Sequence, residues 1–249
     1  MKQLSTILIF LIVDLYGLRS QETDYFDNSA KLDFSSIINA DSIYTDNGKK
    51  SYKRNEPLGF ISNDYQRFYI HFISVIQNPD NPYEYLVYGK SKVKTNICEF
   101  QGKIIIKSSK LYKNLEFPDL QTGYISGDYV FFEDNKNNAS GFFKGSFKSN
   151  WYFDKSGRLK YDDLMASADG FENNEFIGNW ISYKSKTSFP CNWGDYRIPK
   201  SGDLDTGAGE FWINEKYQKN GWENYIRAMQ SDSPVSLKAR KIEAEKWWK

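Results

Sequence analysis

The chain has 249 residues, 33 lysines and arginines against 32 aspartates and glutamates, and a single histidine. That length buries a sizeable core, as one large domain or two small ones. The balanced charge excludes a global field that would gather nucleic acid, and one histidine excludes a histidine-rich zinc site.

Lys2 precedes an apolar run from Ser5 to Val13 that ends at Asp14. The run is shorter than the roughly 20 residues of a membrane span and suits the h-region of a signal peptide, about 7–15 residues. Residues 1–20 are therefore read as a signal peptide cut after Ser20, with a cut after Gly17 and an uncleaved anchor as the alternatives. Export to the periplasm or the medium is expected. Loss of Lys2, Asp14 and Arg19 leaves acids and bases in balance, and no later apolar run is long enough to span a membrane. The two cysteines, Cys98 and Cys191, are expected to pair in an oxidising compartment, with two buried free thiols as the alternative.

Residues 21–60 form a polar lead-in with room for one short strand. The texture changes over 61–186. Segments such as DYQRFYIHFISVI, YEYLVYGKSKVK, GYISGDYVFF and GFFKGSFKSNWYF are rich in aromatic and β-branched residues, and polar turns separate several of them. This is the pattern of consecutive antiparallel strands. In 142–153, Phe143, Gly145, Phe147, Ser149, Trp151 and Phe153 share one face, and a more polar set shares the other. A period of two with one wet face marks a half-buried strand.

One short pattern recurs. Phe100-Gln-Gly102-Lys-Ile104, Phe143-Lys-Gly145-Ser-Phe147 and Phe176-Ile-Gly178-Asn-Trp180 all read aromatic-x-Gly-x-apolar, and Ile125-Ser-Gly127-Asp-Tyr129 is a weaker copy. Inward glycines let strands bend where a sheet curls closed. The expected fold is mainly β: an antiparallel meander of about eight strands closing into a curled sheet or barrel, with a short helical C-terminal segment. A sandwich is the alternative. The Phe176-x-Gly178-x-Trp180 element resembles the opening strand of lipocalins and fatty-acid-binding proteins, the calycin barrels. That resemblance implies a ligand-holding barrel. The stretch CNWGDYRIP…SGDLDTGAGEF resembles a block of secreted bacterial proteins and implies no activity.

Residues 187–212 are rich in Gly and Asp and are expected to cross over from the barrel to a helical segment at 213–249. Ser233-Pro234 offers an N-cap and a first-turn proline, and Val235, Ala239 and Ile242 mark a stripe expected to cover one barrel end. Lys90, Lys92 and Lys94 alternate on one strand face, as on a guarded edge.

The chemistry is narrow. No nucleophile-elbow, zincin, P-loop or dinucleotide motif occurs. His71 stands in an aromatic strand and is expected to be structural. Two sets of site residues follow. The expected barrel lining is Phe100, Ile104, Phe143, Phe147, Trp151 and Trp180, for a small hydrophobic molecule. The alternative is a loop site for a glycan with Trp193, Asp195, Asp203, Asp205, Glu210 and Trp212, whose carboxylates could serve hydrolysis. Asp203 and Asp205 also offer alternating oxygens for calcium, but position twelve of such a loop is Asn214 rather than a bidentate Glu. Asp beside Gly makes turns as well, and a turn is the reading preferred for this loop. The sequence points to an exported, non-catalytic β-barrel module that binds a small ligand or a partner surface, with a carbohydrate-binding or carboxylate-dependent glycan-active protein using the 193–212 loop as the alternative.

Overall fold

The computed structural model describes residues 22–40, 42–45, 50–113 and 117–249; the leader read from residues 1–20 lies outside them. Eight strands carry the architecture: β4 (Leu58–Ile61), β5 (Gln66–Asn78), β6 (Asn81–Val93), β7 (Asn96–Tyr112), β8 (Gln121–Glu133), β9 (Gly141–Phe153), β11 (Asn173–Ser182) and β12 (Ser188–Asp195). Each pairs antiparallel with the next, and β12 returns to β4, so the meander closes into a ring. The ring is irregular, since β4 has four residues and β7 has 17. Two short strands extend it, β1 (Glu22–Asp24) on β7 and β10 (Leu159–Tyr161) on β9. A separate hairpin pairs β2 (Ser42–Thr45) with β3 (Lys50–Lys53). Among the described residues no helix is long and apolar enough to cross a membrane.

The interior is filled by rings rather than left hollow. Trp193 stacks on Phe176 at 4.9 Å between centroids, and Phe68, Tyr129, Phe131 and Phe143 surround it at 5.2–6.5 Å. Such contacts add about 0.5–1.5 kcal/mol each to the burial of the side chains. The recurrent glycines explain how so many rings fit. Tyr129, Gly145 and Gly178 are register partners across β8, β9 and β11, in one interior row. A Cβ on Gly178 would stand 2.5 Å from the Tyr129 hydroxyl and 2.9 Å from the Gly145 Cα. The pair therefore clears a space that the tyrosine occupies.

One end of the ring is plugged by the lead-in. Helix α1 (Phe26–Ser29) leads into helix α2 (Ser35–Ile38), whose N-cap Phe34 and last residues Ile37 and Ile38 are each essentially fully buried. Each such side chain contributes roughly 2 kcal/mol by leaving water. Phe34 packs 5.9 Å from Trp151. The Phe34 amide donates to the Tyr85 hydroxyl at 3.0 Å, and the Gln77 amide donates to the Leu32 carbonyl at 2.9 Å. Segment 21–60 is thus ordered core at its helices, because its scattered apolar residues converge on a single barrel end.

The crossover expected at 187–212 begins instead with an integral strand. Pro190, Asn192 and Gly194 disguise it in sequence, but Cys191 and Trp193 alternate inward and are buried. The C-terminal segment also departs from expectation. Helix α3 (Glu223–Met229) and helix α4 (Pro234–Glu243) pack against each other. Ser233 caps α4, forming a reciprocal box with Ser236. The stripe does not cover a barrel end: Val235 and Ile242 are 59% and 41% exposed, while Ser236 and Ala239 are buried. The tail lies on the outer wall, where a second core gathers Phe60, Leu204, Phe211, Ile213 and Trp222. Arg67 joins the two layers, its guanidinium 4.1 Å from the Trp222 centroid and 3.3 Å from Glu243.

Cys98 and Cys191 are both buried and unbonded, which corrects the expected disulfide. β7 and β12 stand opposite each other in the ring, with three strands between them either way. At a strand spacing of about 4.8 Å, eight strands give opposite walls about 12 Å apart. A disulfide needs Cα atoms within about 7 Å. Nor do Lys90 and Lys92 guard an edge: β6 is paired on both sides, and Lys90 meets Glu99 across the strand at 3.3 Å.

Candidate functional site

The end of the ring opposite the plug is open. The turns at 62–65, 94–95, 134–140 and 183–187 rim it, and a cup of about 310 Å³ lies between them. Its walls are Phe68, Val93, Phe143, Trp180 and Phe189, inward residues of β5, β6, β9, β11 and β12. These side chains face the cup because strand alternation carries the interior row up to the rim.

Asp64 and Lys94 lie at the rim, and one charged group is buried in the wall itself. Glu133 ends β8 in the same inward register as Tyr129 and Phe131, and it is 6% exposed. Its Oε1 accepts from the Ser91 hydroxyl at 2.5 Å. Its Oε2 accepts from the Gly141 amide at 2.8 Å and from the Trp180 indole N–H at 2.9 Å. Burial pushes the Glu133 carboxyl above its ordinary range, and these three donors oppose that push. The carboxylate therefore holds the Trp180 indole against the cup wall. Burial also pushes the Cys98 thiol up to about 11, with the Glu133 charge a lesser cause, so it is a poor nucleophile.

Of the six side chains expected to line the barrel, Phe143 and Trp180 face the cup. Phe100, Ile104 and Phe147 lie in the filled core beneath it, and Trp151 packs against the plug at the far end. Glu133 is the residue that sequence reasoning missed. Its signal was present: an acid on the apolar parity of Tyr129-x-Phe131-x-Glu133, where alternation assigns an inward position.

The six loop candidates do not converge. Trp193 is in the central aromatic cluster. Asp195, at the end of β12, is 2% exposed; its Oδ2 takes the Arg54 guanidinium at 3.1 Å and the Tyr161 hydroxyl at 2.9 Å. Burial raises its pKa, opposed chiefly by the Arg54 charge and the Tyr161 hydroxyl. Asp205 lies outside the ring. Its Oδ2 is clamped by Arg197 at 2.6 and 2.9 Å, and its Oδ1 accepts from the Gly207 and Trp212 amides at 2.9 and 3.1 Å. This is turn chemistry, in which the carboxylate organises its own loop. Asp203 is bound to Lys216 and to the Tyr217 hydroxyl, and Glu210 and Trp212 are exposed. Among the described residues no group of three or more His, Cys, Asp or Glu side chains is gathered for a metal ion.

His71 points outward from β5. Its Nδ1 meets Glu56 at 2.8 Å, and the Trp248 ring lies flat on it at 3.9 Å and 16°. The C-terminal tryptophans thus dock onto the body, with Trp247 6.1 Å from Tyr69. Comparison with protein-family models, curated proteins and solved structures finds no match for this chain.

Proposed function

We propose that this chain is an exported, non-catalytic β-ring module that holds one small, largely apolar ligand in the cup at its open end. The observation that carries this reading is a buried carboxylate set beside the apolar walls Phe68, Val93, Phe143, Trp180 and Phe189, within a rim that also carries Asp64, Gln66, Lys94 and Asn96. Ligand sites combine apolar lining with a few placed polar groups, and about 310 Å³ falls at the small end of their range. A carboxylate offers about four lone-pair sites. Ser91, Gly141 and Trp180 occupy three at Glu133. The fourth suits a ligand with an apolar body and one hydroxyl or amine donor. The calycin-like Phe176-x-Gly178-x-Trp180 element supports the same reading, since it supplies the Trp180 wall.

The test is titration with N-phenyl-1-naphthylamine, a neutral aromatic amine that brightens in apolar surroundings. The expected result is saturable enhancement at one probe per chain. Trp180→Ala should weaken it at least tenfold, and Asp205→Ala, far from the cup, should leave it unchanged. No enhancement with folded protein, or equal enhancement with Trp180→Ala, would overturn the proposal.

A further inference from the structure

The ring wall has a slot. β4 pairs with β12 only from Leu58 to Ile61 and with β5 only from Gly59 to Ile61, while β5 runs on toward the plugged end as far as Asn78 and β12 ends one residue further, at Asp195. The segment 53–57 crosses that slot. A cleft of about 190 Å³ remains beneath it, separate in its lining from the cup. The floor is aromatic, with Phe72, Phe176 and Trp193. Lys246 and Trp248 of the C-terminal tail form part of its rim.

Asp195 lines this cleft and brings an unmet demand to it. Arg54 and Tyr161 both bind Oδ2, whereas Oδ1 is buried with no hydrogen-bond partner. The neighbouring Asn174 spends its amide donors on the carbonyls of Ile37 and Ile38 at 3.2 and 3.3 Å. A buried acceptor left open is costly, and few survive in native proteins without a reason. The charges around the cleft narrow what would satisfy it. Lys53, Arg54 and Lys246 oppose a cationic ligand, and the open Oδ1 opposes an anionic one.

We infer that the slot is a second binding site, for one neutral polyol of monosaccharide size, with a hydroxyl donating to Asp195 Oδ1 and C–H groups on the aromatic floor. Asn39, Asn55 and Glu56 at the walls offer further partners for hydroxyls. Trp248, held flat on His71 with Lys53 5.6 Å from its ring, closes the rim. Asp195 and Trp193 are adjacent but one on β12, so a single strand supplies both the acceptor and part of the floor.

Saturation-transfer NMR with glucose, galactose and N-acetylglucosamine, each at up to about 50 mM, tests this. A ligand of about 12 heavy atoms at ordinary ligand efficiency binds with a Kd on the order of 1 mM. Transfer from protein to at least one sugar is expected. Asp195→Asn should weaken it at least tenfold, because the amide that keeps the Arg54 and Tyr161 contacts turns a donor toward the cleft. Trp248→Ala lies in the tail, outside both cores, and should weaken binding at least threefold without unfolding the ring. Trp180→Ala, in the cup, should leave it intact. Absence of transfer to all three sugars from folded protein would overturn the inference. So would unchanged transfer in both cleft variants, loss in Trp180→Ala, or displacement of the sugar by methylammonium at equal concentration.

Discussion

Glu133 is the residue whose replacement tests the site and the fold together. In Glu133→Leu the Ser91 hydroxyl, the Gly141 amide and the Trp180 indole lose their common acceptor. An unsatisfied buried donor costs about 1–3 kcal/mol, and water in the open cup can serve the indole, so the expected loss is about 3–5 kcal/mol. That is a large part of the 5–15 kcal/mol typical of a folded domain. Glu133→Gln behaves differently. Its carbonyl oxygen can accept from Gly141 and Trp180 while its amide donates to the Ser91 oxygen, so the shape and all three contacts persist without the charge. Burial raises the Glu133 pKa above the ordinary 4.5. The folded state therefore keeps a proton that the unfolded state has released, and stability falls as pH rises from about 4.5 through the raised value. Each unit of that rise is worth about 1.4 kcal/mol at neutral pH. Urea unfolding followed by tryptophan fluorescence between pH 4.5 and 8 measures both effects. Glu133→Gln should match or exceed wild type at pH 7 and show a shallower decline with pH. Asp195, raised by burial in the same direction, keeps part of the slope in both proteins. The reasoning fails if Glu133→Leu unfolds at the wild-type urea midpoint, or if Glu133→Gln is as unstable as Glu133→Leu.

Two further outcomes follow from the interior. Gly178→Ala would set a methyl 2.2 Å from the Lys144 carbonyl oxygen as well as against Tyr129; overpacking of this kind costs about 1–3 kcal/mol, and at about 2–4 °C per kcal/mol the melting temperature should drop by about 2–12 °C. A variant melting at or above the wild-type temperature would show that the glycine pair is not what seats the tyrosine. For the cysteines, denatured protein purified without reductant should take up two iodoacetamide labels, and native protein should take up almost none, since both thiols are buried and raised in pKa. A mass two hydrogens short, with no labelling, would restore the bridge.

Much of the ring was legible because strand alternation and turn residues are local signals. The inward parity of Phe143, Phe147 and Trp151 and the aromatic-x-Gly-x-apolar repeats are properties of a few adjacent residues, and they suffice for a curled antiparallel meander. β12 was hidden for an equally local reason: Pro190, Asn192 and Gly194 read as a loop, and only pairing with both β11 and β4 makes them a strand. The plug was hidden because Phe34, Ile37 and Ile38 sit in a polar stretch and gain their burial from partners far away in sequence.

The division at the site follows the same line. Sequence alone determined the mainly β class, the inward placement of Phe143 and Trp180, and the turn character of the Asp205 loop, since each rests on neighbours in the chain. Tertiary structure alone decided that the interior is filled beneath a cup, that Cys98 and Cys191 face each other across a ring too wide to bridge, and that Asp195 meets Arg54 rather than Asp205. Ring closure brings together residues more than a hundred positions apart, and no local pattern records which of them meet.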